Sequence, residues 1–206
     1  LTYKGVHYDH GTGFAVAEAF FGDDVPHEAL RSIVDGTLTF DAPLVTLSPG
    51  DHILELFHGP TLAFKDFGAR FMARLMAWLT RDEDRLLTVL VATSGDTGGA
   101  VASAFHGVPG TRVVILYPKG KVSGLQEKQL TALGGNITAL EVDGSFDDCQ
   151  ALVKSAFLDR DLAESLNLTS ANSINLARLV PQSFYYMHAA ARLEPGIEPV
   201  FVVPSG

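Results

Sequence analysis

Lys65 lies in the stretch GPTLAFKDFGARF, residues 59–71, between Phe64 and Phe67 and directly before Asp66. The two aromatic side chains would remove water, and a helix capped by Asp66 would place its positive end beside the amine. Both effects disfavour the ammonium form, so this amine could attack a carbonyl and form a Schiff base. The alternative is an ordinary solvated lysine in a turn, and this stretch taken alone favours that alternative.

A second stretch, ATSGDTGGAVASAF, residues 92–105, follows a predicted strand directly and begins a predicted helix. A turn of this kind directs backbone N–H groups and the helix dipole at an anion such as a carboxylate or a phosphate. It matches neither the Walker loop nor the dinucleotide-binding fingerprint, because the required lysine and glycine spacings are absent. The alternative is a glycine-rich connection that only lets the helix and the strand pack closely.

A third stretch, SANSINLARLVPQ, residues 170–182, places amides and hydroxyls before a helix that carries Arg178. Asn172, Ser173 and Asn175 could donate hydrogen bonds to an anion at the helix N-terminus. Arg178, one turn further, could bind a phosphate with two parallel hydrogen bonds. Helix capping by asparagine with an exposed arginine remains an equal alternative.

Lys119 and Lys121 follow a predicted strand in the stretch YPKGKVS, residues 117–123. This position lies on the edge of a parallel sheet where ligands bind. Two lysines beside a glycine more often form a solvated turn, so the stretch makes Lys119 a secondary candidate for anion binding.

Short apolar runs rich in β-branched residues alternate with segments of helical periodicity and predict the elements that hold these candidates. The runs predict parallel strands covered on both faces, at residues 86–92, 112–117, 137–142 and 199–203. The periodic segments predict helices, at residues 67–79, 98–106, 123–133, 147–158 and 175–192. The alternation predicts an α/β fold with a doubly wound, mostly parallel sheet, helices on both faces, and a ligand beyond the carboxyl ends of the strands.

The first 40 residues lack this alternation and include Pro26, which can begin a short amphipathic helix. We therefore expect a helical N-terminal segment at residues 1–40 and an α/β cofactor- and substrate-binding region at 41–206. Within the second region, the alternation is consistent with a smaller α/β subdomain at about residues 85–160. An apolar run followed by a glycine turn normally leads into another element of a fold. Because only three residues follow Val203, we expect the sequence to be truncated at this end.

Composition excludes several classes of function. A net charge of -9 argues against a general nucleic-acid surface, which requires a basic face, and no apolar run is long enough to span a membrane. We therefore expect no nucleic-acid partner and no membrane; we also assign no metal site. The single Cys149 forms no intrachain disulfide, and with no signal peptide this predicts a cytoplasmic location.

Seven blocks of the sequence, taken in order, resemble the threonine synthase family. Residues 58–71 and 92–102 carry the most specific blocks, HGPTLAFKDFGARF and ATSGDTGGAVA. The others are LYPKGKVSGLQEKQL, LGGNI, DGSFDDCQALV, SANSINLARLVPQ and the terminal VPSG. The resemblance extends from about residue 20 to the last residue. It implies the tryptophan-synthase-β fold group, which is fold type II of the enzymes that use pyridoxal phosphate.

The resemblance implies a role for each candidate. Lys65 is the implied site of covalent attachment of pyridoxal phosphate and the implied general base and acid. Asp96 would lie near the cofactor ring, where many fold relatives have asparagine, and the cofactor would further contact Ser205 and Gly206. The substrate-binding residues implied are Ser94, Thr97, Lys119, Asn172, Ser173 and Arg178. The last four match positions that hold the phosphate of O-phosphohomoserine.

The implied reaction converts O-phosphohomoserine and water to threonine and phosphate in threonine biosynthesis. Family members start before this chain and continue beyond Gly206, so we expect the 206 residues by themselves to be inactive or nearly so. Two alternatives are a threonine or serine dehydratase of the same cofactor group and a non-catalytic binding fragment. The sequence leaves open whether the protein is a monomer or a homodimer.

Overall fold

The computed structural model describes residues 10–172 and 175–203 of the 206-residue chain. The first part of the described chain holds α1 (His10–Phe21), α2 (His27–Thr37), β1 (Leu44–Ser48), β2 (Asp51–Leu54), α3 (Lys65–Leu79), β3 (Leu87–Ala92), α4 (Asp96–Phe105) and β4 (Thr111–Pro118). The second part holds α5 (Gly124–Thr131), β5 (Ile137–Val142), α6 (Phe146–Leu158), α7 (Arg160–Leu166), β6 (Leu168–Ser170), α8 (Leu176–Leu179) and α9 (Gln182–Ala190).

Strands β3, β4, β5 and β6 form one parallel sheet in the order β5-β4-β3-β6. Val89 of β3 pairs with Val113 of β4, which in turn pairs with Ile137 of β5. All six residues of β3 are buried, as expected for a central strand that is covered on both faces. The parallel sheet that the apolar runs predict is therefore confirmed, with β3 and β4 at its centre.

The two faces of the sheet belong to two apolar clusters. Val89 and Val91 join the larger cluster, which includes residues of α3, α4 and α5. Leu90 points to the other face, because successive residues of a strand alternate, and packs in a cluster with Cys149 and Val153 of α6. Helices cover both faces, which confirms the predicted architecture.

Helix α3 follows the predicted apolar periodicity and lies at the centre of the helical layer. Phe67, Phe71 and Leu75 are almost completely buried, and α3 contacts α2, α4, α8 and α9. Rings of Phe71 and Phe184 of α9 meet edge to face with centroids 5.8 Å apart. Aromatic packing therefore fixes α3 against α9, the last helix of the described chain.

Before the sheet, α1 and α2 pack on each other and α2 packs on α3. Helix α2 begins directly after Pro26, as the sequence predicts, whereas the apolar pattern does not predict α1. The hairpin of β1 and β2, which turns at Gly50 with φ of 89°, was not predicted either.

The division of the chain at residue 40, with a subdomain at about 85–160, stays a prediction. No helix of the described chain is both long and apolar enough to cross a bilayer.

The helix predicted at residues 175–192 is two helices. Helix α8 ends at Leu179, and α9 begins at Gln182, directly after Pro181. Proline lacks the backbone N–H of a regular helix, and its ring crowds the preceding turn, so the helical axis breaks here. The prediction was wrong because apolar periodicity continues across the break.

The prediction of a strand at residues 199–203 is wrong. These residues have no regular secondary structure, and they pair with no strand of the described chain. Val200 is 89% exposed and Val202 is 86% exposed. A β-branched run supplies the propensity of a strand, but a strand also needs a neighbour for its backbone hydrogen bonds.

Candidate active site

The loop before Lys65 is tied to the first turn of α3. The carboxylate of Asp66, which is completely buried, accepts hydrogen bonds from the Thr61 amide at 2.9 Å and the Thr61 hydroxyl at 2.6 Å. Gly59 leaves the space for this carboxylate, since a Cβ atom there would overlap it. Leu62 has a positive φ of 61°, which is unusual for leucine. Together these contacts hold the loop in one conformation and fix the start of the helix at Lys65.

Asp66 is not the cap that the sequence predicts. Helix α3 begins at Lys65 itself, the N-cap position is Phe64, and no side chain caps it. The carboxylate of Asp66 turns back to Thr61 because the loop offers two donors within reach. Burial raises the pKa of Asp66, against the effect of the hydrogen bonds from Thr61, which favour the carboxylate.

The amine of Lys65 lies beside the glycine turn, residues 94–98, which leads from β3 into α4. Its Nζ is 3.8 Å from Oδ2 of Asp96 and 4.4 Å from the centroid of the Phe64 ring, and the side chain is 23% exposed. Burial lowers the pKa of Lys65; Asp96 opposes this effect and Arg178 adds to it. The predicted desolvated lysine facing the 94–98 turn is therefore what the structure contains.

Thr93 organises the glycine turn, although its sequence position did not suggest it. Its hydroxyl oxygen accepts hydrogen bonds from the amides of Gly95 at 2.9 Å and Gly98 at 2.8 Å, and the residue is 1% exposed. Gly95 has φ of 144°, a conformation that side chains rarely allow. Thr93 thus takes the place of an N-cap side chain for α4.

The first turn of α4 keeps donors for a ligand. The amides of Asp96 and Thr97 have no acceptor within the helix, because the first N–H groups of any helix lack one. Ser94, two residues before the start of α4, is exposed. This arrangement suits a small anion such as a carboxylate at the N-terminus of α4.

Arg178 is buried against α3. It is 1% exposed, and its Nη1 donates to the carbonyl of Ala171 at 2.8 Å. Gly68 allows this approach, because a Cβ atom there would lie 2.5 Å from the Arg178 carbonyl oxygen and 3.4 Å from its Nε. Gly68 and Lys65 are three residues apart on α3 and so share a face. This packing explains why the charge of Arg178 acts on Lys65.

The guanidinium of Arg178 lacks a counter-ion within the described chain. Its Nε has no hydrogen-bond partner there, and none of the ion pairs of residues 10–172 and 175–203 includes it. Burial lowers the pKa of Arg178 to about 10. A buried cation costs free energy unless an anion or a hydrogen-bond acceptor reaches it, so this position suits a phosphate.

Asn172 and Asn175 hold the loop between β6 and α8. Asn172 donates from Nδ2 to the carbonyl of Ala92 at 3.4 Å, at the carboxyl end of β3. Asn175 caps α8 by accepting from the amide of Ala177 at 3.0 Å, and its Nδ2 donates to Ser170. The capping interpretation therefore holds for Asn175. Ser173 lies outside the described residues.

The remaining candidates are not brought to the lysine by the described contacts. Lys119 is exposed at the carboxyl end of β4, where its amide donates to the carbonyl of Val142 at 2.9 Å. It shares the sheet edge with the glycine turn, and its role stays a prediction. Ser205 and Gly206 lie outside the described residues, so their predicted contacts to the cofactor also stay predictions.

Gln126 is a further residue at this site, and the sequence patterns did not indicate it. Its Nε2 donates to Oδ1 of Asp96 at 2.8 Å, and its side chain lies against Gly95. A signal was present, because Ser123 and Gln126 form a capping box, the pattern Ser-x-x-Gln, at the start of α5. The pattern predicts a helix start but gives no indication of the contact to Asp96.

Comparisons with known proteins identify the family of this chain. A sequence profile of the family described as "Pyridoxal-phosphate dependent enzyme" matches residues 45–206. The chain is 52% identical over 193 residues to the threonine synthases of Escherichia coli and Serratia marcescens. The alignment covers 93% of this chain and 45% and 44% of those relatives. The chain thus spans less than half of the length of the relatives it matches.

Solved structures give the same result. The chain matches the crystal structure of threonine synthase from Escherichia coli with a TM-score of 0.83 at 52% identity, over 91% of this chain and 44% of that one. It matches threonine synthase from Brucella melitensis, solved with bound pyridoxal phosphate, with a TM-score of 0.83 at 41% identity, over 93% and 42% of the two chains. The resemblance indicated by the sequence blocks is confirmed.

Proposed function

Because the chain belongs to the pyridoxal-phosphate dependent enzyme family, we propose that the whole protein is a threonine synthase that converts O-phosphohomoserine and water to threonine and phosphate. The relatives that support this proposal are named threonine synthase and are 52% identical to the chain. The single observation that carries it is the half-buried Lys65 amine, which lies beside the N-terminus of α4 and is affected by the charge of the buried Arg178.

The residues present fit pyridoxal phosphate and a phosphorylated substrate. Burial lowers the pKa of Lys65, so a larger share of its amine is neutral and able to condense with the aldehyde of the cofactor. Asp96 would lie at the ring, and Ser205 and Gly206 would bind the cofactor phosphate. When bound, the cofactor delocalises the negative charge that remains on the substrate α-carbon after its proton departs.

Lys65 would transfer the protons of the reaction. Its Nζ would accept the substrate α-proton as a neutral amine and would later donate a proton as an ammonium group. Asp96 at 3.8 Å stabilises the ammonium form, while burial stabilises the neutral form. Burial is the larger of the two effects, so the pKa of Lys65 lies below the ordinary lysine value.

Arg178 would bind the phosphate that leaves. Its buried guanidinium has an unused donor at Nε, and a phosphate oxygen is the strongest acceptor available to it. Asn172, Ser173 and Lys119 would contribute further donors to the same phosphate. The first-turn amides of α4, with Ser94 and Thr97, would hold the substrate carboxylate.

The proposal includes a small-molecule substrate and a cytoplasmic location. Cys149 is buried and free, which is the usual state of a cysteine in a reducing compartment.

The proposal is tested with the whole protein, pyridoxal phosphate and O-phosphohomoserine. We expect threonine and phosphate to form in equal amounts. Lys65→Ala should reduce the rate by about 10²–10⁴-fold or more, whereas Lys154→Ala, an exposed lysine on α6, should not. If the protein releases no phosphate from O-phosphohomoserine but forms 2-oxobutanoate when threonine is supplied, it is a dehydratase and the proposal is rejected.

A further inference from the structure

Gln126 is oriented by contacts at both ends of its side-chain amide. Its Oε1 accepts from the backbone amide of Ser123 at 3.0 Å, and its Nε2 donates to Oδ1 of Asp96 at 2.8 Å. A backbone N–H is always a donor and a carboxylate is always an acceptor, so the amide cannot be reversed. One side chain therefore joins the start of α5 to the start of α4.

The two oxygens of Asp96 have different partners. Oδ1 accepts from Gln126, while Oδ2 lies 3.8 Å from Nζ of Lys65. The side chain of Asp96 is 53% exposed, so packing alone does not select its rotamer. The hydrogen bond from Gln126 supplies that selection.

The local packing leaves no simple substitute for Gln126. Its amide lies against Gly95, where a Cβ atom would overlap it, and Gly95 is itself buried at the turn. Gln126 belongs to a different βα unit from Asp96 and is 30 residues away in sequence. This contact therefore depends on the tertiary fold and is not a consequence of local helix geometry.

We propose that Gln126 is a positioning residue for the active lysine, which holds the Asp96 carboxylate so that one oxygen faces Nζ of Lys65. The inference rests on the proposed function for its catalytic meaning. The charged groups that act on the lysine are Asp96 of α4, which favours the ammonium, and Arg178 of α8, which disfavours it. Without the hydrogen bond from Gln126, Asp96 should oppose the effects of burial and Arg178 less strongly, so the pKa of Lys65 should fall.

The test measures the acetylation of Lys65 by acetic anhydride as a function of pH, read by mass spectrometry, in the whole protein freed of pyridoxal phosphate. In Gln126→Ala, the labelling profile of Lys65 should shift to lower pH than in the wild type. In an Asp96→Ala background, the same substitution should cause no further shift, because its effect passes through Asp96. Gln126→Met, which keeps the volume beside Gly95 without the donor, should behave as Gln126→Ala and serves if the alanine variant does not fold.

Ser123→Ala is the matched control. It removes the hydroxyl that accepts from the Gln126 backbone amide but leaves both contacts of the Gln126 side chain in place. It should weaken the α5 cap without moving the labelling profile. An unchanged profile in the Gln126 variants, an equal shift in Ser123→Ala, or an equal shift without Asp96 would overturn the inference. The labelling needs no substrate, so a protein that shows the shift but releases no phosphate keeps this inference and rejects the proposed function.

Discussion

Two carboxylates act on Lys65, one on its position and the other on its charge. Asp66, next to it in sequence, is buried and hydrogen-bonded to Thr61, so it fixes the backbone at the start of α3. Asp96, from another helix, lies 3.8 Å from the amine and acts on its charge. Separating these tasks allows the position of the lysine and its protonation to be set independently.

Replacing Asp96 should change the pH dependence of Lys65 in a known direction. The pKa of Lys65 is lowered by burial, and Asp96 partly restores it, so Asp96→Asn should lower this pKa further. The neutral amine then forms at lower pH, and the low-pH limb of the kcat profile, which reports groups of the enzyme–substrate complex, should move to lower pH. Asp147→Asn, at an exposed position of α6, is the control and should leave the limb in place. A limb that moves to higher pH in Asp96→Asn would contradict the assigned effect.

The same pKa has a consequence for stability. A lysine whose pKa is lower in the folded than in the unfolded state binds fewer protons when folded. Below the folded pKa its burial as an ammonium costs free energy, and this cost is relieved as pH rises from the folded pKa toward the ordinary lysine value. The contribution of Lys65 to the free energy of unfolding should therefore increase with pH across that window.

Arg178 should be more important for activity than for stability. Arg178→Met removes a buried guanidinium that has no counter-ion among the described residues, so the free energy of unfolding should stay unchanged or rise. The same change should reduce kcat/KM for O-phosphohomoserine by about 10²–10³-fold, because the proposed donor to the phosphate is lost. Denaturant unfolding and steady-state kinetics measure the two effects.

Arg112→Met is the matched control for Arg178→Met. Arg112 also has a buried Nε without a partner in the described chain, but it lies on β4 near the amino end of that strand, opposite the site edge. Its replacement should leave kcat/KM nearly unchanged. Equal losses of activity in both variants would show that Arg178 acts through general structure rather than through the phosphate.

At the scale of elements, the site forms where the glycine turn, the start of α3 and the short helix α8 meet. Thr93 shapes the glycine turn, and Gly68 allows α8 to approach α3. Neither residue is charged, and the Thr93 hydroxyl is engaged by the amides of Gly95 and Gly98. Each acts by placing a backbone segment.

Thr93→Val should destabilise the fold although the two side chains have nearly the same shape. The substitution leaves the amides of Gly95 and Gly98 without their buried acceptor, which costs about 1–3 kcal/mol. Thr138→Val, at an exposed position of β5, should change the free energy of unfolding by less than about 0.5 kcal/mol. Equal stability of the two variants in chemical denaturation would show that Thr93 does not organise the turn.

Sequence patterns predicted these elements as far as the determining interactions were local. The buried strands β3, β4 and β5 and the helix that starts at Lys65 follow from apolar periodicity, and the lysine and the glycine turn follow from residue type. The break at Pro181 is also encoded locally, and the prediction gave periodicity too much weight there. The contact of Gln126 with Asp96, 30 residues apart, depends on tertiary geometry. The contact of Thr61 with Asp66 is local but depends on the loop conformation, which apolar periodicity does not contain.

At the scale of the whole molecule, aromatic rings connect the helices on the α3 side of the sheet. The Phe71 ring meets Phe21 of α1 at 5.5 Å and Phe184 of α9 at 5.8 Å between centroids. The Phe67 ring meets Tyr185 of α9 at 5.3 Å. Helix α3 is thus packed between the first and the last helices of the described chain, and the position of Lys65 depends on that packing.

Phe71→Ala should therefore be among the most destabilising substitutions in this layer. Phe71 is fully buried, so the change should lower the free energy of unfolding by about 3–5 kcal/mol. Phe20→Ala removes the same ring from a position on α1 that is 60% exposed and should cost less than about 1 kcal/mol. If both variants unfold at the same denaturant concentration, the proposed role of the aromatic packing is wrong.

The position of the reactive amine is the central claim, and one measurement tests it most directly. The whole protein is incubated with pyridoxal phosphate, reduced with borohydride and digested, and the peptides are mapped by mass spectrometry. We expect the reduced cofactor to be attached at Lys65 and to be absent in Lys65→Ala. A stable adduct at another lysine, with residue 65 unmodified, would contradict the account.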